Sequence, residues 1–176
     1  MHNVEMKAEL RDLPLARAIC GALKATRIAT LDQTDTYYKL ATGRLKKREC
    51  AGEPTEFVFY DRDDRARPRL SHFTIYSENE AAERFGATPM PVWVIVKKTR
   101  ELWMLGSVRI HLDSVEDLGD FIEFEALVSP SNNVARCHET VAALRGSFAP
   151  AMGETIAVSY SDMIAGHIES QTSPEA

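Results

Sequence analysis

The stretch Ser107-Val108-Arg109-Ile110-His111-Leu112-Asp113, and the stretch Phe121-Ile122-Glu123-Phe124-Glu125-Ala126 that follows it, decide how the chain is read. In the first, Arg109, His111 and Asp113 fall on one face of an extended backbone and Val108, Ile110 and Leu112 on the other. In the second, Glu123 and Glu125 share a face with Phe121, while Ile122, Phe124 and Ala126 point away. These are period-two strands with a continuous apolar side and a charged side.

The same pattern extends outward in both directions. Asn3, Glu5, Lys7 and Glu9 alternate with Val4, Met6, Ala8 and Leu10. A second strand is predicted over Thr34–Lys39, before a turn at Gly43. Arg44, Lys46 and Arg48 then line up on one face, and Glu56–Asp61 and Leu70–Tyr76 follow. The charged stretch between them, with Arg62 at the end of the fourth strand, contains Pro68 and reads as a loop, so Arg65, Arg67 and Arg69 are expected in solvent. Val92–Arg100 places Val92, Val94, Val96, Lys98 and Arg100 together, and a separate strand is predicted over Leu102–Leu105.

Helices are predicted where caps meet helical periodicity. Asp12 with Pro14 opens one, Glu78–Phe85 forms a short one with Gly86 near its C-cap, Ser131 is the expected cap of a helix carrying Val134, Cys137, Val141 and Leu144, and a short helix covers Ser161–Ile168. The fold class is α+β, with a sheet of seven or eight strands curling towards closure. A single domain over residues 1–169 and a disordered tail over 170–176 are expected.

In most antiparallel sheets one face meets the core and the other meets water. Here the polar faces are sorted by sign: Arg44, Lys46 and Arg48 are all basic, as are Lys98 and Arg100, whereas Glu123 and Glu125 are acidic. Like charges two residues apart repel, which an ordinary wet surface avoids. With the apolar faces covered by helices, the charged faces line the inside of a barrel. Enclosed charges need partners, because an unpaired buried ion costs several kcal/mol. A polyanion for the basic wall and divalent cations for the acidic wall satisfy both, and a triphosphate with Mg²⁺ or Mn²⁺ supplies them together.

The balance of 21 Lys and Arg against 26 Asp and Glu argues against a nucleic-acid-coating surface while leaving room for a local basic patch. Cys20, Cys50 and Cys137 lack the spacing of a zinc site or disulfide framework, so they are read as free thiols. No apolar signal core and no span of about 20 apolar residues is visible, and a cytoplasmic protein with no membrane partner is expected.

At these positions the sequence resembles the CYTH family, the triphosphate tunnel metalloenzymes that include class IV adenylate cyclases and thiamine triphosphatases. Asn3-Val4-Glu5-Met6-Lys7 is similar to the family's opening Glu-x-Glu-x-Lys. Gln33-Thr34-Asp35-Thr36-Tyr37-Tyr38 with Gly43-Arg44-Leu45-Lys46-Lys47-Arg48-Glu49 resembles its second block. Tyr60-x-Arg62 and Lys98-x-Arg100 match the next basic positions, and Arg109 to Glu125 is the most specific block. The resemblance implies a closed eight-stranded antiparallel tunnel barrel with flanking helices. It implies metal binding by Glu5, Asp113, Glu123 and Glu125, and phosphate binding by Lys7, Lys46, Arg48, Arg62, Lys98, Arg100 and Arg109, with Lys7, Arg48 and Arg100 as the catalytic cations. Asn3 departs from the signature's first Glu and removes one negative charge from the metal wall.

The implied activity is metal-dependent hydrolysis of inorganic or small organic triphosphate. The alternatives are a class IV adenylate cyclase and, given Asn3, a weakly catalytic polyphosphate or nucleotide sensor. The expected partner is a small triphosphate, and a homodimer is compatible. His111 is read as a hydrogen-bonded structural residue or a general base, Tyr37 and Tyr38 as packing or base-stacking groups, and Trp93 and Trp103 as core.

Overall fold

The computed structural model describes residues 1–61 and 66–172. Strand β1 (His2–Leu10) carries the opening alternation. Helix α1 (Leu13–Ala22) starts where Asp12 accepts a hydrogen bond from the Leu15 amide at 2.9 Å, and Lys24 leaves it with a left-handed φ of 58°. Then come β2 (Thr26–Tyr38), β3 (Arg44–Cys50), β4 (Glu56–Asp61) and β5 (Arg69–Tyr76). Helix α2 (Glu78–Phe85) begins with a reciprocal Ser77–Glu80 capping box, and β6 (Val92–Leu105), β7 (Val108–Val115) and β8 (Gly119–Leu127) follow. Helix α3 (Val134–Phe148), a 3₁₀ turn over Ala149–Ala151, β9 (Met152–Ile156) and α4 (Tyr160–Thr172) complete the chain.

The strands pair antiparallel in the order β5-β4-β3-β2-β6-β7-β8-β1-β9, and β1 also pairs with β5. That last pairing closes β1 to β8 into a barrel, with β9 as an extra strand. The seam is short, running from His2↔His72 to Glu5↔Arg69. Further along β1 the same edge pairs with β9, through Lys7↔Ile156 and Ala8↔Thr155.

The core lies outside the barrel, as the alternation required. Val4, Met6, Ala8 and Leu10 of β1, Val108, Ile110 and Leu112 of β7, and Ile122, Phe124 and Ala126 of β8 are buried under α1 and α3. Ala16 and Cys20 of α1 and Cys137, Val141, Leu144 and Phe148 of α3 meet them. A second apolar cluster joins Tyr37, Tyr60, Val94, Val96, Val115 and Phe121 to Tyr160 and Ile164 of α4. It places α4 across one end of the tunnel.

Several local expectations change. β2 begins at Thr26 rather than Thr34, because it pairs with β6 along nearly its whole length. β6 is one strand: Glu101, outside the barrel, is buried by hydrogen bonds from Arg17 of α1 and from Trp103, so the alternation continues unbroken into Leu102. Asn133, not Ser131, caps α3 by accepting from the Arg136 amide at 3.0 Å. Helix α4 extends to Thr172, beyond the predicted Ile168, and the end of the expected tail, residues 173–176, lies outside the described residues. Trp93 and Trp103 pack against the two clusters, and the cysteines are free. Among the described residues no helix is long and apolar enough to cross a membrane.

Candidate functional site

Because successive strand residues point to opposite faces, covering the apolar face from outside commits the charged face to the interior. The interior is a cavity of about 330 Å³. Its wall carries Glu5 and Lys7 of β1, Lys46 and Arg48 of β3, Lys98 and Arg100 of β6, Arg109 and His111 of β7, and Glu123 and Glu125 of β8. One end is stopped by Tyr160, and at the other Arg109, Glu56 and Ile75 reach the surface. Apolar side chains, Leu31, Leu102, Val58 and Phe73, also line the wall.

The basic side is organised around a carboxylate. Asp35, on the inner face of β2, is fully buried and accepts from Arg48 Nε at 2.8 Å, Arg48 Nη2 at 2.7 Å, Lys46 Nζ at 3.0 Å and Lys98 Nζ at 2.8 Å. Burial alone would raise its pKa; Lys46, Lys98 and Arg48 override that and hold it well below the usual carboxylate range. Burial pushes Lys46 down to about 7, with Arg48 adding to the effect and Asp35 opposing it. Lys98 falls to about 8, again chiefly through burial.

The opposite wall is acidic. His111, Glu123 and Glu125 bring one ligand atom each within 4.8 Å of one another. Glu123 also accepts from Lys7 Nζ at 3.1 Å and Arg100 Nη2 at 3.0 Å, and His111 Nδ1 lies 3.3 Å from it. Burial pushes its carboxyl up, but Lys7, His111 and Arg100 keep it well below the usual range and ionised. These donors suit a hard divalent cation, since carboxylate oxygens and an imidazole are ordinary ligands for Mn²⁺ and carboxylates for Mg²⁺. The Asn3 Oδ1 atom lines the same cavity, is buried, and has no hydrogen-bond partner among the described residues. An orphaned carbonyl oxygen there fits a ligand that brings positive charge.

Asp113 stands apart from that group. Its carboxylate is gripped by Arg100 through Nε at 2.7 Å and Nη2 at 2.6 Å, and it accepts from the Tyr160 hydroxyl at 2.8 Å. Glu5 faces Arg69, whose Nε lies 3.2 Å away. Arg69, expected in solvent, is buried at the start of β5 against Glu5 and also donates to the Ala157 carbonyl. The loop reading failed because barrel closure turns the first residue of β5 inward. Arg62 lies outside the described residues. Arg44 reaches Asp162 of α4 at 2.8 Å, at the stopped end.

Sequence reading did not single out Asp35, Arg69, Gln33 or Tyr160 for the site. Asp35 was visible only as an acid sharing a strand face with Gln33 and Tyr37; its meaning appears once β3 and β6 flank it. Gln33, like Asn3, leaves a buried carbonyl oxygen in the tunnel without a partner among the described residues. Tyr160 comes from a distant helix, and its ring lies 3.7 Å beneath the Lys7 ammonium.

The CYTH domain, as a family, matches residues 1–160. Among solved structures, the chain is similar to the PH1012 protein of Pyrococcus horikoshii OT3, with a TM-score of 0.74 and 19% identity over 91% of this chain and 98% of that one. It is similar to a candidate adenylate cyclase of Vibrio parahaemolyticus, with a TM-score of 0.72 and 19% identity over 94% and 98% of the two chains. A candidate adenylyl cyclase of Hippeastrum, described as having a dominant triphosphatase activity, gives a TM-score of 0.59 at 12% identity over 95% and 96%. At such identities the likeness speaks for the fold. No curated protein matches the sequence. The family match covers the whole barrel and reaches the start of α4: the chain belongs to the CYTH-domain family.

Proposed function

We propose that the chain binds a small triphosphate inside the tunnel and hydrolyses its terminal phosphoanhydride bond with the help of Mg²⁺ or Mn²⁺. The observation that carries this reading is the division of one enclosed cavity into a cationic wall around Lys46, Arg48 and Lys98 and an acidic wall of His111, Glu123 and Glu125. A polyanion with its counter-cation is the ligand class that matches both walls at once.

Lys46 and Arg48 would hold the phosphate oxygens from one side and Lys7 and Arg100 from the other, with Arg109 at the mouth. Phosphoryl transfer is served by such positioning and charge stabilisation more than by covalent chemistry. His111, Glu123 and Glu125 would hold the cation, which when bound neutralises charge on the phosphoryl oxygens. Water attacks the terminal phosphorus, the bridging P–O bond breaks, and orthophosphate and the shortened polyphosphate leave. Arg100 is suited to remain charged throughout: burial opposes its charge, but Asp113 and Glu123 keep its pKa well above the usual value.

A class IV adenylate cyclase is the second reading, favoured by the apolar side chains Leu31, Val58, Phe73 and Leu102 in the cavity wall, which offer an organic head group a surface. Incubation with tripolyphosphate or ATP and Mn²⁺ separates the two. Orthophosphate release is expected; cyclic AMP with pyrophosphate as the main products would replace hydrolysis with cyclisation.

The lysines give this reading a pH signature. Lys46 is surrounded by Asp35, Arg48 and Lys98 and by the rings of Tyr37 and Tyr60. A bound polyanion favours the charged ammonium, so tripolyphosphate binding near pH 7.5 is expected to take up protons, measurable by calorimetry in buffers of different ionisation enthalpy. Equal heats in those buffers would contradict it. In the unfolded chain these lysines hold their protons to about pH 10.4. From about pH 7 upward the unfolded state therefore binds more protons, and Lys46 and Lys98 make the unliganded fold more stable as pH rises. Affinity for the polyanion changes in the opposite direction.

A further inference from the structure

An anion sits in the middle of the wall meant for an anion. Asp35 touches Lys46, Arg48 and Lys98 at 2.7–3.0 Å and has no exposed surface of its own. Its three partners are not equivalent. The side chains of Lys46 and Arg48 keep 13% and 18% of their surface open, whereas that of Lys98 keeps 1%. An ammonium so enclosed has almost no face to offer an incoming phosphate. Its Nζ donates to Asp35 at 2.8 Å, with the Tyr160 ring 5.9 Å away.

The carboxylate also has no alternative position. β2 is flanked by β3 and β6 through the whole stretch around Asp35, and the neighbouring inward residues Gln33 and Tyr37 are buried. Swinging Asp35 aside would leave a buried charge without its hydrogen bonds, which costs more than a ligand contact returns. It therefore stays when ligand enters. Without it, the cations would repel one another and separate; with it, Arg48 is fixed by a two-pronged contact and Lys46 is drawn beside it.

We propose that Asp35 is a positioning residue, a resident counter-ion that holds Lys46 and Arg48 together at the tunnel surface, and that Lys98 neutralises Asp35 instead of gripping the ligand. This rests on the polyanion reading of the tunnel. It divides the basic wall into a layer that meets the ligand and a buried layer that shapes the first.

A double-mutant cycle tests it, using Asp35→Asn, Lys98→Met and the charge-balanced pair, with tripolyphosphate binding read by calorimetry and stability by urea unfolding. In the wild-type background Lys98→Met is expected to weaken binding about tenfold or more, because Asp35 then draws Lys46 and Arg48 inward. In the Asp35→Asn background the same change is expected to cost no more than about threefold, the signature of coupled neighbours. Equal losses in both backgrounds would make Lys98 a direct phosphate ligand and overturn the proposal, as would no loss in either. Should a single variant fail to fold, the balanced pair decides: it is expected to fold and to bind within about tenfold of wild type, and a larger loss overturns the proposal. Wild-type protein that binds no tripolyphosphate would instead sink the polyanion reading itself.

Discussion

Glu123→Gln is expected to lower metal-dependent phosphate release by at least about a hundredfold, the scale on which loss of one preorganised electrostatic group acts. Glu123 lies where the walls meet: it belongs to the group with His111 and Glu125 and accepts from Lys7 and Arg100. The amide keeps the shape but removes the charge, so the cation loses its best-placed anionic donor. Lys7 and Arg100 meanwhile lose a competing counter-ion, and tripolyphosphate binding without metal is expected to persist or strengthen. Phosphate release, Mn²⁺ titration by electron paramagnetic resonance, and metal-free calorimetry measure the three effects on one variant. An exposed acid such as Glu49, changed to Gln, serves as the comparison. Full activity in Glu123→Gln would remove the acidic wall from the mechanism.

Asp113→Ala is expected to act on the fold. Its carboxylate is fully enclosed between Arg100 and the Tyr160 hydroxyl. Removing it leaves a buried guanidinium with only part of its hydrogen bonding satisfied, a change that typically destabilises by about 3–5 kcal/mol. For a chain of this size that corresponds to a melting temperature lower by roughly 6–20 °C. Once the loss of folded protein is accounted for, Mn²⁺ affinity should stay within about threefold of wild type, because Asp113 is outside the group formed by His111, Glu123 and Glu125. Calorimetric melting and Mn²⁺ titration distinguish a strut from a ligand: unchanged stability with a large drop in metal affinity would restore Asp113 to the metal site.

The residues most legible in the sequence were those whose role follows from strand periodicity. Lys7, Glu123 and Glu125 alternate with apolar neighbours, Lys46 and Arg48, like Lys98 and Arg100, recur at every second position of one strand, and all seven line the tunnel. What periodicity could not state is which partner each would meet. Asp113 and Glu123 carry the same functional group on neighbouring strands, yet one is closed in by Arg100 and Tyr160 and the other opens towards the cavity. Arg69 illustrates the same limit, since the composition before it is that of a loop and its burial comes from pairing across the β1–β5 seam.

By itself the sequence determined the fold class, the inside and outside of β1, β3, β7, β8 and the first part of β6, and the separation of basic from acidic walls, because a two-residue period and the sign of a side chain are local properties. Tertiary structure decided the rest: the stopping of one end by Tyr160, the gathering of Lys46, Arg48 and Lys98 on Asp35, and the entry of His111 into the acidic group. Those depend on the register between strands far apart in the chain, and on how burial in a closed space turns a side chain's nominal charge into a partnership.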